Sequence, residues 1–265
     1  MAAVAGNVKV GNRKNLLTFL QELDYRMAIN LERRAYAILN SVFVVPGAVG
    51  AWRRKAVLKV GGFSDATLTE DAELGLRLKK AGFAVTYEPQ AVGFTEAPVT
   101  LPALIRQRFR WTFGMLQTLW FHKDMNFKPK YGYLGMLVLP YTVFIQLPSM
   151  FLAPIVELLA IPLALFVSVK LVLFSLLALL FGRFLLFAFA SKLAGEDLSL
   201  SVLVIPYRFF YQFLWYFVLD AAILVAIRGS FVSWNKLPHF GTATSNESSK
   251  LWPLLFPKIL NWRND

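Results

Sequence analysis

Apolar and polar positions change period several times along the first 130 residues. Val8 and Val10, preceded by small residues, predict a short strand that enters a turn at Gly11-Asn12. Leu16, Leu20, Leu23, Met27 and Leu31 recur at helical spacing and predict a helix from about Asn15 to Asn40. Val42 to Val45 is a β-branched run, and Pro46-Gly47 ends it. After a turn at Gly61-Gly62, Ser64 and Asp65, Thr69 stands where a helix N-cap is expected. Glu70 and Asp71 then fall in the first turn, where negative charge suits the helix dipole. Leu74 and Leu78 share a face of this helix, Gly82 stops it, and Ala84 to Tyr87 predicts another strand. Thr100, with Pro102 in the first turn, opens a further helix. Strands alternating with helices predict an α/β layer.

Beyond Tyr133 the periodicity gives way to long apolar runs. Only Glu157 is formally charged between Tyr133 and Val169, a second run covers Leu171 to Ala190 around Arg183, and a third spans Pro206 to Ile227 around Arg208 and Asp220. A membrane helix needs about 20 apolar residues. Pro140, Pro148, Pro154 and Pro162 argue against one unbroken helix in the first run, so three or four spans are expected. Thr112 to Asp124, with Phe113, Leu116, Leu119 and Trp120 on one side, reads as a helix lying on the membrane surface, and Leu251 to Trp262 is a weaker segment of that kind. The resulting division is 1–111 as an α/β unit, 112–131 as interfacial helix and linker, 132–228 as transmembrane helices and 229–265 as a tail.

Composition supports the membrane reading. Hydrophobic residues make up 57% of the 265, and 28 Lys and Arg against 16 Asp and Glu leave a net charge of +12. Long uncharged apolar runs are foreign to nucleic-acid binders, so the positive charge is assigned to a cytoplasmic membrane face, and no nucleic-acid partner is expected. Lys123, Lys128 and Lys130 flank the first run, and Lys236, Lys250, Lys258 and Arg263 lie in the tail. The segment Ser191 to Ile205 carries Lys192, Glu196 and Asp197. The positive-inside rule then puts the α/β unit and tail in the cytoplasm and the acidic loop outside, which favours four spans. The absence of cysteine excludes disulfides and thiolate metal sites, and Met1 to Gly6 is too short and uncharged for a signal peptide. His122 and His239, the only histidines, read as isolated surface residues.

Two groups of residues carry candidate chemistry. Asp71 at a helix start can accept a proton from a hydroxyl, or it can simply stabilise that helix start together with Glu70. Gln107, Arg110 and Trp111 share one helix face. They offer an amide, a guanidinium whose planar fork suits diphosphate oxygens, and an indole on which a sugar ring can stack. The same residues also fit an interfacial helix with Arg106, Arg108 and Arg110 on lipid phosphates and Trp111 at headgroup depth.

Thr69-Glu70-Asp71, then Gln107-Arg108-Phe109-Arg110-Trp111, then apolar runs, resembles the processive membrane branch of the family-2 glycosyltransferases, which includes cellulose, chitin, hyaluronan and poly-N-acetylglucosamine synthases. The resemblance extends through Val4 to Arg13, Pro46 to Arg54 and Gly61-Gly62-Phe63, and resumes in Trp234-Asn235-Lys236-Leu237. It is nearest to the bacterial poly-N-acetylglucosamine-type members. It implies part of a nucleotide-diphospho-sugar transferase α/β domain followed by an α-helical transmembrane region. By resemblance Asp71 is the general base, Gln107 and Arg110 bind the donor diphosphate, and Trp111, Gly47 and Glu70 belong to the acceptor side. Relatives often carry Ser or Cys where this chain has Pro46.

The implied partners are a nucleotide sugar of UDP type, a glycan acceptor and the lipid bilayer. The implied cofactor is Mg²⁺ or Mn²⁺, yet no Asp-x-Asp motif occurs in the chain. The donor-binding half is therefore expected on a longer protein or on another polypeptide, or else the chain is an inactive relic. A subunit that binds glycan or a partner without transferring sugar is the competing expectation. A solute transporter ranks lower, since it leaves the α/β unit and both motifs unexplained. Tyr207, Phe210, Trp215 and Tyr216 are candidates to line a polymer path, or to pack against lipid.

Overall fold

The computed structural model describes residues 1–228. Trp234 to Leu237, the tail lysines and Arg263, His239 and the 251–262 segment lie outside the described residues.

The sheet is mixed. β1 (Ala3–Val10) lies in the centre, with β2 (Gly50–Trp52) antiparallel on one side and β3 (Val85–Thr95) parallel on the other. Ala3, Ala5 and Gly6 keep β1 thin enough to be covered on both faces. The β1–β3 register shifts from Gly6↔Glu88 to Asn7↔Val92, which leaves extra residues in β3. The far edge of β3 has no partner strand among the described residues. Val42, Phe43 and Val45 are buried as their apolar side chains favour, but the run forms no strand, and β2 is the strand that pairs with that edge of β1.

The helix expected from Asn15 starts there. Asn15 Oδ1 accepts from the Thr18 N–H at 3.0 Å, while Thr18 Oγ1 accepts from the Asn15 N–H at 3.1 Å. It runs through a π-turn at Arg26–Leu31 to Ile38. Helix Glu70–Lys80 buries Leu74 and Leu78 and stops before Gly82, whose φ is +81. Thr69 holds the N-cap position without capping: its Oγ1 meets Thr118 Oγ1 at 3.2 Å instead. Helix Leu101–Phe121 is continuous across residue 111. The segment assigned to the interface is thus the second half of one helix, and Phe113 and Leu119 are buried against protein while Trp120 is exposed.

Among the described residues three helices are long and apolar enough to cross a membrane: Leu134–Ala160, Val169–Ala194 and Leu198–Ile227. The proline-rich first run is helical throughout 134–167, against expectation. π-turns at Leu134–Val138 and Thr142–Gln146 precede Pro140 and Pro148, and the wider turn relieves the clash of each ring with the preceding carbonyl. Glu157 and Arg208, charges inside two different runs, pair at 2.8 Å.

The loop after Ala194 corrects the topology. Glu196 pairs with Lys9 of β1 and lies 3.5 Å from Arg26 and 3.6 Å from Arg13. Arg26 Nη1 also donates to Ser191 Oγ at 2.8 Å and to the Asp197 carbonyl at 2.7 Å. The acidic loop therefore sits on the same side as the sheet, not opposite it. Its charges answer basic side chains of the α/β unit and carry no information about an external face.

Candidate functional site

Asp71 opens helix Glu70–Lys80 with its carboxylate held by two backbone donors. Oδ1 accepts from the Ala72 N–H at 2.8 Å, and Oδ2 accepts from the exposed Gly47 N–H at 3.2 Å. That approach requires Gly75, because a Cβ there would lie 1.7 Å from the Phe43 carbonyl oxygen and push the 43–47 segment off the helix. Burial raises the Asp71 pKa above its ordinary 3.8. The Ala72 N–H opposes the rise, Glu70 adds to it, and the Gly47 N–H and the Arg33 guanidinium oppose it. Glu70 is half-buried beside it.

The second group is brought up by helix Leu101–Phe121. Gly114 lets that helix lie against the start of the Asp71 helix, where a Cβ would come within 2.8 Å of the Thr69 nitrogen. Gln117 Oε1 accepts from the Leu68 N–H at 3.1 Å and fixes the crossing. Trp111 stands one turn before Gly114, about 4.5 Å along the axis. It packs with Val49 on the cluster of Val8, Val10, Tyr25, Ile29 and Ala97. Val49 follows Gly47 by two residues, so one apolar cluster joins the Gly47 turn to Trp111. Gln107 lies a further turn away, its Oε1 buried without a hydrogen-bond partner among the described residues. Arg110 is half-buried on the same helix. Asp71, Glu70, Gly47 and Trp111 are thus drawn around one crossing point, with Gln107 and Arg110 extending from it along the helix.

Several residues escaped sequence reasoning. Among the described residues the buried Arg33 Nη1 has no hydrogen-bond partner; burial draws the Arg33 pKa down, while Asp71 and then Tyr87 favour its charge. The buried Tyr87 hydroxyl has no hydrogen-bond partner among them either, and burial pushes its pKa up to about 12. Arg108 is 3% exposed and pairs with Asp24 at 3.1 Å, so it does not face lipid. Trp111, packed in its cluster, is no headgroup anchor either. Asp24 had a signal: it interrupts the Leu20, Leu23, Met27, Leu31 stripe with a carboxylate. Tyr207, offered as a pore or lipid residue, is buried and donates to Asp24 Oδ1 at 3.2 Å, whereas Phe210 is exposed. His122 is also buried, with Nε2 3.2 Å from Glu73 Oε1, and is not a surface residue.

Among the described residues no group of three or more His, Asp or Glu is placed to hold a metal ion. The residues present do not fit the implied divalent ion, and no step below passes through it.

Residues 1–234 match the family model described as Glycosyl transferase family group 2. A poly-beta-1,6-N-acetyl-D-glucosamine synthase of Staphylococcus aureus (strain COL) is 30% identical over 114 residues, 43% of this chain and 28% of that protein. The synthase of the same name from Staphylococcus epidermidis is 26% identical over 124 residues, 45% of this chain and 30% of that protein. The chain thus matches less than a third of the length of either relative. Among solved structures, a mannosyltransferase from Pyrobaculum calidifontis, in complex with GDP-Man and Mn²⁺, superposes with a TM-score of 0.53. It is 17% identical over 87% of this chain and 55% of that one. At that identity the likeness concerns the fold alone. The mixed sheet with its flanking helices is that of a nucleotide-sugar transferase, as the α/β reading expected.

Proposed function

The chain belongs to glycosyl transferase family group 2, and on that premise we propose that it supplies the acceptor and base side of an inverting sugar transfer. The product is a β-linked polysaccharide of N-acetylglucosamine type, extended at the cytoplasmic membrane face from a UDP-sugar. The observation that carries the reading is the Asp71 carboxylate, held by the Gly47 and Ala72 N–H groups and made more basic by burial. It takes the proton of the acceptor hydroxyl as that oxygen attacks the anomeric carbon. The bond from that carbon to the nucleotide diphosphate breaks on the opposite face, and the configuration inverts. Arg110 and the Nε2 hydrogens of Gln107 hold the departing diphosphate by donating to its oxygens. Trp111 supports the acceptor ring, and the exposed Gly47 lets it approach the backbone.

The test is Asp71→Asn in the polypeptide that carries complete transferase activity. Transfer is expected to fall by about 10²–10⁴-fold, the usual contribution of a general base, with membrane insertion unchanged. Normal transfer would refute Asp71 as the base. A second reading, a subunit that binds glycan without transferring it, makes a different prediction for the same variant. Under that reading Asp71→Asn leaves the activity of the assembled enzyme untouched while Trp111→Ala still weakens glycan binding.

A further inference from the structure

We propose that Arg108 is the positioning residue of the Trp111 platform, and that the third apolar helix holds it in place. The proposal rests on the reading of Trp111 as the acceptor support. Arg108 alternates with the site residues on helix Leu101–Phe121 but turns into the protein. Its guanidinium carbon lies 4.5 Å from the Trp111 ring centroid and 4.8 Å from that of Trp215, with the Tyr25 ring at 5.6 Å. A planar cation between two indoles fixes the tilt of both. The cation is itself fixed. Nη2 donates to the Tyr211 hydroxyl at 2.8 Å and pairs with Asp24 Oδ2 at 3.1 Å, and the Tyr211 hydroxyl donates in turn to Asp24 Oδ2 at 3.3 Å.

Tyr211 and Trp215 belong to Leu198–Ile227, the third helix able to cross a membrane, and Asp24 belongs to the first helix of the α/β unit. Three elements distant in sequence therefore converge on one guanidinium that touches the acceptor indole. A lysine keeps the charge but loses both the fork and the flat stacking surface. The orientation of Trp111 is in this way set from the membrane side of the molecule.

The experiment measures steady-state transfer by the complete enzyme, with UDP-N-acetylglucosamine as donor and an N-acetylglucosamine oligosaccharide as acceptor. Arg108→Lys is expected to raise the acceptor KM by about tenfold, the scale of a desolvated cation–π contact, with the donor KM unchanged. In a Trp111→Ala background the same substitution is expected to add nothing. An additive effect there, or an equal rise in both KM values, overturns the proposal. If Trp111→Ala raises the acceptor KM and Arg108→Lys does not, Arg108 fails while Trp111 stands. If Trp111→Ala itself leaves the acceptor KM unchanged, the acceptor reading falls, and this proposal with it. Should Arg108→Lys not accumulate, Tyr211→Phe, which removes a single hydroxyl, is read instead. A selective rise in acceptor KM supports the proposal, and an unchanged value overturns it.

Discussion

Asp71 and Asp24 are both carboxylates whose pKa burial raises, and they do opposite things. Asp24 is closed on every side: Arg108, Tyr207 and Tyr211 all contact its oxygens. Among the described residues Asp71 accepts from the Ala72 and Gly47 N–H groups, and a carboxylate has about four acceptor positions. The sealed carboxylate ties helices together. The open one retains lone pairs for a proton and stands beside an exposed turn. Charge and burial alone would not have separated them; the number of partners does.

Substitution at each position should break the symmetry most visibly. Asp24→Ala leaves Arg108 buried without its counter-charge, and unfolding of the purified protein is expected to become easier by about 3–5 kcal/mol. Asp71→Asn should cut transfer by about 10²–10⁴-fold without that penalty. Its folded pKa is raised, so its contribution to stability is complete below pH 3.8 and is lost as pH rises through the folded value. At neutral pH the ionised group works against the fold, and the Asn variant should unfold no earlier than the parent.

A smaller effect tests how the open site is held. Gly75→Ala drives a methyl group into the Phe43 carbonyl, and overpacking of this kind costs about 1–3 kcal/mol. Transfer should fall along with stability, because the Gly47 N–H is carried away from Asp71. Alanine at Gly182, where a Cβ meets nothing, is the control. The smallest effect is on pH. Transfer should increase with pH through an inflection above the ordinary aspartate value, and Arg33→Gln should move that inflection higher, since Arg33 opposes the rise in Asp71. An inflection that stays put removes Arg33 from the site.

What the sequence made legible was local. The Asn15 helix start, the turn at Gly82 and the placement of Asp71 in a first turn depend on residues within a few positions of each other. What it concealed was pairing over distance. Thr69 was a sound cap by type, but Thr118 took its hydroxyl. The prolines of the first run signalled breaks, but π-turns precede Pro140 and Pro148, and Pro154 and Pro162 lie inside a continuous helix. Glu196 and Asp197 suggested an external loop because nothing near them in sequence reveals Lys9, Arg13 and Arg26. Arg108 looked like one more base in a basic helix, and only the fold brings it to Asp24 and Tyr211. Among the candidate site residues, Asp71 and the Gln107-to-Trp111 helix carry the motifs, whereas Arg33, which acts on Asp71, and Tyr87, which acts on Arg33, carry none. Those relations arise from helix packing over the sheet and from no repeated pattern.

The bare edge of β3 bears on how the polypeptide behaves in a tube. Along that edge, which has no partner strand among the described residues, about every second residue turns its N–H and C=O outward, with Val92 and Phe94 exposed alongside. Such an edge is a template for another copy of itself. The net charge of +12 keeps copies apart at low ionic strength, and added salt screens that repulsion. Light scattering from the detergent-solubilised chain should therefore grow with salt, and a lysine at Val92 should suppress the growth.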